Sequence, residues 1–117
     1  MQLEEEAISY ILELEPALQR TEVGNPGFDL YRNDDTGRII GLIEVKAMTA
    51  SLEHRPVGLS HTQFECAQKH GDQYWIYVVE YVGDPIRRRI LRIRNPAGNA
   101  RTFTFDKGWA QLAVNED

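Results

Sequence analysis

A chain of 117 residues, 42% hydrophobic and 26% charged, is long enough for one domain with a real core and too short for a second, so residues 1–117 read as a single unit. No apolar run approaches the ~20 residues that span a bilayer, and Glu4, Glu5 and Glu6 stand where a signal peptide carries basic residues, so a cytoplasmic protein with no membrane association is expected. The single cysteine excludes an internal disulfide and a multi-cysteine zinc site, and the net charge of −5 argues mildly against a nucleic-acid binder.

Helical periodicity runs over residues 3–15, where Leu3, Ala7, Ile11 and Leu14 form an apolar stripe that Ile8 and Leu12 widen. Pro16 ends or kinks this helix, with Ala17, Leu18 and Gln19 as one further turn. Thr21 to Pro26 is a connection with a short strand at Glu22-Val23. Two apolar runs, Phe28 to Tyr31 and Ile39 to Val45, flank Asn33-Asp34-Asp35-Thr36-Gly37, whose short polar residues and glycine mark a hairpin. Met48 to Gly58 reads as a polar loop. Ser60 and Gln63 have capping-box spacing before a helix over His61 to His70, which Gly71 stops. Tyr74 to Val82 (Y-W-I-Y-V-V-E-Y-V) is apolar enough for a central strand. Gly83-Asp84-Pro85 turns it into an outer strand over Arg87 to Arg94. Asn95 to Asn99 turns again into a short strand over Arg101 to Asp106, and Trp109 to Val114 reads as a terminal helical turn. The order predicts an α/β fold with a mixed β-sheet flanked by helices.

The hairpin carries the chemistry. Glu44 and Lys46, two apart on one strand, point to the same face, and the hairpin folds Asp29 back towards them. Two carboxylates and an ammonium at a sheet end make a hard-cation site beside a general-base candidate. The bland alternative is a strand-end lysine paired with Glu44. Arg87, Arg88, Arg89, Arg92 and Arg94 place five positive charges within eight positions with no acid among them. Such a run is either a solvated strand face or a stripe that contacts phosphates.

The succession G-F-D-L, I-E-V-K-A, L-S-x-x-Q, Y-W-I-Y-V-V and I-R-N-P over residues 5 to 97 resembles the domain at the C-terminus of the plant protein NO VEIN and of many bacterial ATPase- or helicase-linked proteins. Asp29 followed by Glu44-Val45-Lys46 is similar to the signature of the PD-(D/E)xK nuclease superfamily. The resemblance implies a restriction-endonuclease-like fold and Mg²⁺- or Mn²⁺-dependent hydrolysis of DNA phosphodiesters. It assigns Asp29, Glu44 and the Val45 carbonyl to the metal and Lys46 to catalysis. It adds a first-helix acid, Glu6 or its neighbour Glu5, which read alone is equally a solvated helix-start glutamate. It also adds Gln63 facing the active site, where the residues alone equally give simple capping. A module of a larger protein, a homodimer, or a partner of an ATPase or helicase in a defence or DNA-processing system follows from the same resemblance.

Other features read as structural. Cys66 falls in an apolar helical pattern and reads as an inert buried thiol; His54, His61 and His70 lack metal-ligand spacing and read as exposed. Trp75, Tyr77 and Tyr81 read as packing positions of the buried strand. The glycines form no phosphate-cradling loop before a helix, which excludes a nucleotide site of that kind. Two further function classes are consistent with the chain: an inactive nuclease-fold module that binds DNA, and a protein-interaction module.

Overall fold

The computed structural model describes residues 2–22, 25 and 27–100. The expected strand over 101–106, the helical turn over 109–114 and Val23 lie outside them. The described chain forms α1 (Gln2–Leu14), β1 (Gln19–Arg20), β2 (Leu30–Asn33), β3 (Ile39–Ala47), α2 (His61–His70), β4 (Tyr74–Glu80) and β5 (Arg89–Arg94), with short 3-10 turns at Gly71–Gln73 and Ala97–Asn99. The five strands make one sheet in chain order. Only β3 and β4 are parallel, because α2 carries the chain back across the sheet between them; the other pairs are antiparallel. This is the expected α/β architecture with a mixed sheet.

Alternation along β3 and β4 divides the core into two layers. Leu30, Ile43, Val45, Tyr77 and Val79 pack on one face with Ala7, Ile8 and Ile11 of α1. Leu42, Tyr74, Ile76 and Val78 pack on the other with Ala67 of α2 and Met48. The helical stripe is narrower than the sequence suggests: Leu3 and Leu14, at the two ends of α1, are 37% and 56% exposed.

Several boundaries move for local reasons. Residues 17–19 add no helical turn. Glu15 N–H still reaches the Ile11 carbonyl at 2.8 Å, but the chain then turns, and an edge strand falls at Gln19–Arg20. β2 begins at Leu30 rather than Phe28 and ends with a register shift between Arg32 and Asn33. In the hairpin the Asp34 carboxylate accepts from Thr36 N–H at 2.9 Å and Arg38 N–H at 3.0 Å, and Gly37 supplies the positive φ of 86°. β4 stops at Glu80. Tyr81 adopts a φ of 51° and leaves the sheet, so it is not a packing position of the strand.

The segment from Met48 to Gly58, polar in sequence, is tied down from below. Met48 N–H bonds the Val79 carbonyl at 2.9 Å, and Val82 N–H bonds the Met48 carbonyl at 3.0 Å. Glu80, fully buried, accepts from Leu52 N–H and from Arg89. A buried carboxylate requires such partners, and they anchor the loop that leads into Ser60. The Ser60–Gln63 capping box forms as expected: Gln63 N–H donates to Ser60 Oγ at 3.1 Å and Ser60 N–H to Gln63 Oε1 at 2.9 Å.

Candidate metal centre and its surroundings

The backbone places Asp29 at the site. Asp29 N–H bonds the Ile43 carbonyl at 2.8 Å, the last rung between the β2 end of the chain and β3. One step on, the Asp29 carboxylate takes the place of a strand and accepts from Val45 N–H at 2.8 Å. N–H and C=O of one strand residue lie on the same edge, so the Val45 carbonyl faces the same opening beyond β2. Gly27 and Tyr74 hold this corner: the buried Tyr74 hydroxyl donates to the Gly27 carbonyl at 2.7 Å. A Cβ at Gly27 would stand 3.1 Å from Cys66 Sγ, so the close approach of the two segments suits glycine.

Glu44 lies on the α2 face and is 4% exposed. Its carboxyl lies near enough to that of Asp29 to feel its charge, and Lys46 Nζ stands 3.4 Å from Glu44 Oε2. Burial first, and the Asp29 charge second, push the Glu44 carboxyl up to about 8, against the opposing pull of the Lys46 ammonium. Burial also raises the Tyr74 hydroxyl and the Cys66 thiol, with the Glu44 charge contributing to both. Lys46 Nζ donates to Gln63 Oε1 at 3.1 Å, the same oxygen that caps Ser60 N–H. Capping and facing the site are therefore one arrangement. Asp29, Glu44, Lys46 and Gln63 are brought together from two elements, β3 and α2, and one connection.

Glu6 is not brought there. It lines a separate cavity of about 420 Å³ between α1 and the β4–β5 turn, with Ser9, Tyr10 and Arg88. Glu5 pairs with Arg20. The first-helix acid that opens on the Asp29 side is Glu4, which shares a cavity of about 190 Å³ with Arg20, Thr21 and Asp29. Helical phase explains this: Glu4 precedes the buried Ile8 by four residues and so shares its face, whereas Glu6 turns away. That spacing was present in the sequence.

The arginine run is not one stripe. Pairing with β4 sets Arg89 opposite Glu80 on the α2 face and Arg92 and Arg94 opposite Tyr77 and Trp75 on the α1 face. Acids and rings distant in sequence meet them. Arg87 binds Asp84 at 2.8 Å and stacks over Tyr81. Arg88 lies 4.2 Å from the centre of the Tyr10 ring. Arg92 Nη2 reaches Glu15 Oε2 at 2.6 Å, and Glu15 also accepts from Arg32 at 2.6 Å and from the Tyr77 hydroxyl at 3.2 Å. Arg94 Nε donates to the Asp72 carbonyl at 2.9 Å and lies over Trp75. Of the histidines, His54 and His61 are exposed and His70 half-buried.

The donor set suits a small hard cation. Mg²⁺ takes one or two carboxylates and completes its octahedron with water or phosphate oxygens. Asp29 and Glu44 provide two neighbouring carboxyls, with the Val45 carbonyl on the adjoining edge. Among the described residues no further His, Cys, Asp or Glu makes a group of three able to hold a metal, so any remaining ligands would come from outside the side chains. Nor is any described helix long and apolar enough to cross a membrane.

Fold and site together define an α/β domain that gathers an acidic pair, a lysine and a helix-cap glutamine at the end of its central strands. The chain belongs to the family described as Protein NO VEIN, C-terminal, whose model matches residues 3–92. No match was found among curated proteins or among solved structures.

Proposed function

We propose that the domain is a restriction-endonuclease-like, PD-(D/E)xK-type nuclease that hydrolyses DNA phosphodiester bonds with Mg²⁺ or Mn²⁺. The observation that carries this reading is the gathering of Asp29, Glu44 and Lys46 at one strand end, with Asp29 accepting from Val45 N–H at 2.8 Å and the Lys46 ammonium 3.4 Å from Glu44. Burial and the neighbouring Asp29 charge leave the Glu44 carboxyl holding a proton, and a divalent cation is the natural replacement for that proton. Bound there, such a cation supplies an acidified water and offsets charge on the scissile phosphate. Asp29, fixed by Val45 N–H, and Glu44 would hold the cation, while Lys46, oriented by Gln63, would hydrogen-bond the attacking water and face the charge that grows on the phosphate oxygens. The water gives up one proton to solvent as its oxygen forms the new bond to phosphorus, the bond to the leaving sugar oxygen breaks, and that oxygen takes a proton from solvent.

The size of the domain supports a role as one module of a larger protein, as a homodimer, or beside an ATPase or helicase in a defence or DNA-processing system. Cleavage of plasmid and single-stranded DNA with Mg²⁺, Mn²⁺ or EDTA, comparing wild type with Lys46→Ala, tests the reading. Metal-dependent cutting that disappears in the variant supports it, and cutting that survives the substitution refutes the role of Lys46. A second reading, a protein-interaction module without nuclease activity, is favoured by the internal engagement of the arginine run; absence of cutting and of salt-dependent DNA affinity would select it.

A further inference from the structure

We infer that Arg20 and Thr21 form a subsite for a backbone phosphate of the nucleic-acid substrate, immediately beside the Asp29–Glu44 pair. The inference rests on the nuclease reading and names a contact which that reading leaves open, since the arginines expected to meet DNA are held by internal partners.

Arg20 lies on the edge strand β1, paired with Leu30, the residue after Asp29. Thr21, the residue after β1, bonds the Asp29 carbonyl through its N–H at 2.9 Å, so the two residues reach the same strand end as the candidate metal centre. Arg20, Thr21 and Asp29 line one cavity of about 190 Å³, and both Asp29 and Glu4 lie near enough to act on the Arg20 charge. The Arg20 side chain is 46% exposed. Among the described residues its one hydrogen bond runs from Nη2 to Glu5, which leaves most of its five donors without a protein acceptor.

A second feature points to the same occupant. The Thr21 hydroxyl is buried and has no hydrogen-bond partner, which a buried polar atom rarely tolerates without a ligand or water. Asn25 lines the cavity too; its side-chain oxygen serves Gly27 N–H at 2.8 Å and Phe28 N–H at 3.3 Å, which leaves its amide donors uncommitted. Uncommitted N–H and O–H donors beside a planar guanidinium suit the several acceptor oxygens of a phosphate. Glu4, Glu22 and Asp29 also line the space, but among the described residues they form no group of three able to hold a metal. The occupant is one phosphate gripped by donors, next to the phosphate at Asp29.

The test uses the full 117-residue chain and labelled DNA, duplex and single-stranded, with Ca²⁺ in place of Mg²⁺ so that the carboxylates are neutralised. Affinity is measured by fluorescence anisotropy across a salt series, with a thermal melt of each variant. Arg20→Gln is expected to raise Kd roughly 5- to 20-fold and to lower the salt slope by about one. Arg20→Lys recovers part of the affinity, because it keeps the charge and loses the fork. Glu5→Gln removes the same ion pair but frees the guanidinium, so DNA binds as tightly as to wild type or more so. A purely structural Arg20–Glu5 pair would instead weaken binding equally in both glutamine variants, and that result overturns the inference. So does wild-type affinity and slope in Arg20→Gln while the wild type binds and cuts. A wild type that neither binds nor cuts DNA overturns the nuclease reading itself, and the subsite with it.

Discussion

The carboxyl of Glu44 faces the charge of Asp29 in a corner where Glu44 is 4% exposed, and burial first and that charge second push its pKa up to about 8 from the ordinary 4.5. Below about pH 4.5 both folded and unfolded chains hold this proton, and the group leaves stability unchanged. As pH rises the unfolded chain releases the proton first, so stability falls continuously until the folded carboxyl ionises near 8. The loss is on the order of 3–5 kcal/mol, from about 1.4 kcal/mol per pKa unit. Urea unfolding of the metal-free protein at pH 5, 6.5 and 8 should show this decline, and Glu44→Gln should abolish it and be the more stable protein at pH 8. An unchanged pH profile in the variant would contradict the assignment. Mn²⁺ or Mg²⁺ should raise Tm more at pH 8 than at pH 6, because binding displaces the retained proton.

Gln63 joins the helix cap to the lysine, and the two roles separate by substitution. Ser60→Ala removes the cap acceptor alone and should cost about 1 kcal/mol of stability with cleavage unchanged. Gln63→Ala also frees Lys46, so a comparable loss of stability should come with about a tenfold fall in kcat. Lys46→Ala should lower kcat by about 10²-fold or more. Equal rates for Ser60→Ala and Gln63→Ala would reduce Gln63 to a capping residue.

Tyr74 anchors the segment that carries Asp29. Tyr74→Phe deletes the 2.7 Å bond to the Gly27 carbonyl and leaves that acceptor without its donor, a cost of about 1–3 kcal/mol by denaturant unfolding. Weaker Mn²⁺ binding should accompany it if the anchor positions Asp29.

Glu80 is held below the usual carboxylate range first by the Leu52 N–H and then by Arg89 and Ser51. Its contribution is present above the unfolded pKa of about 4.5 and is lost as pH falls through the lower folded value. Glu80→Ala should therefore destabilise by about 2–3 kcal/mol at neutral pH, through the orphaned Leu52 N–H, and the gap from wild type should close in acid. Faster hydrogen exchange across residues 50–53 would locate the effect.

Arg92 belongs to the Glu15 network with Arg32 and Tyr77. Its side chain is 41% exposed, so Arg92→Gln should cost less than about 1 kcal/mol and leave DNA affinity within about twofold of wild type. A large affinity loss would restore the run as a nucleic-acid surface.

Local patterns were sufficient for much of this protein. Alternation marked β3 and β4, a Ser-x-x-Gln box and a glycine bounded α2 at His61 and His70, and an Asp-to-Gly turn closed the hairpin. These signals are carried by neighbours in the chain, and the Asp29, Glu44 and Lys46 cluster needs only a hairpin and a period of two. What the tertiary structure decided depends on distant partners. Arg87 to Arg94 looked free of acids because Glu15 and Glu80 lie outside the run, and strand pairing divided its members between two faces. The phase of α1 against the sheet put Glu4, and not Glu6, on the Asp29 side. Burial, which belongs to the packed fold and to no residue alone, is what moves the Glu44 carboxyl and binds the 48–58 segment to Glu80.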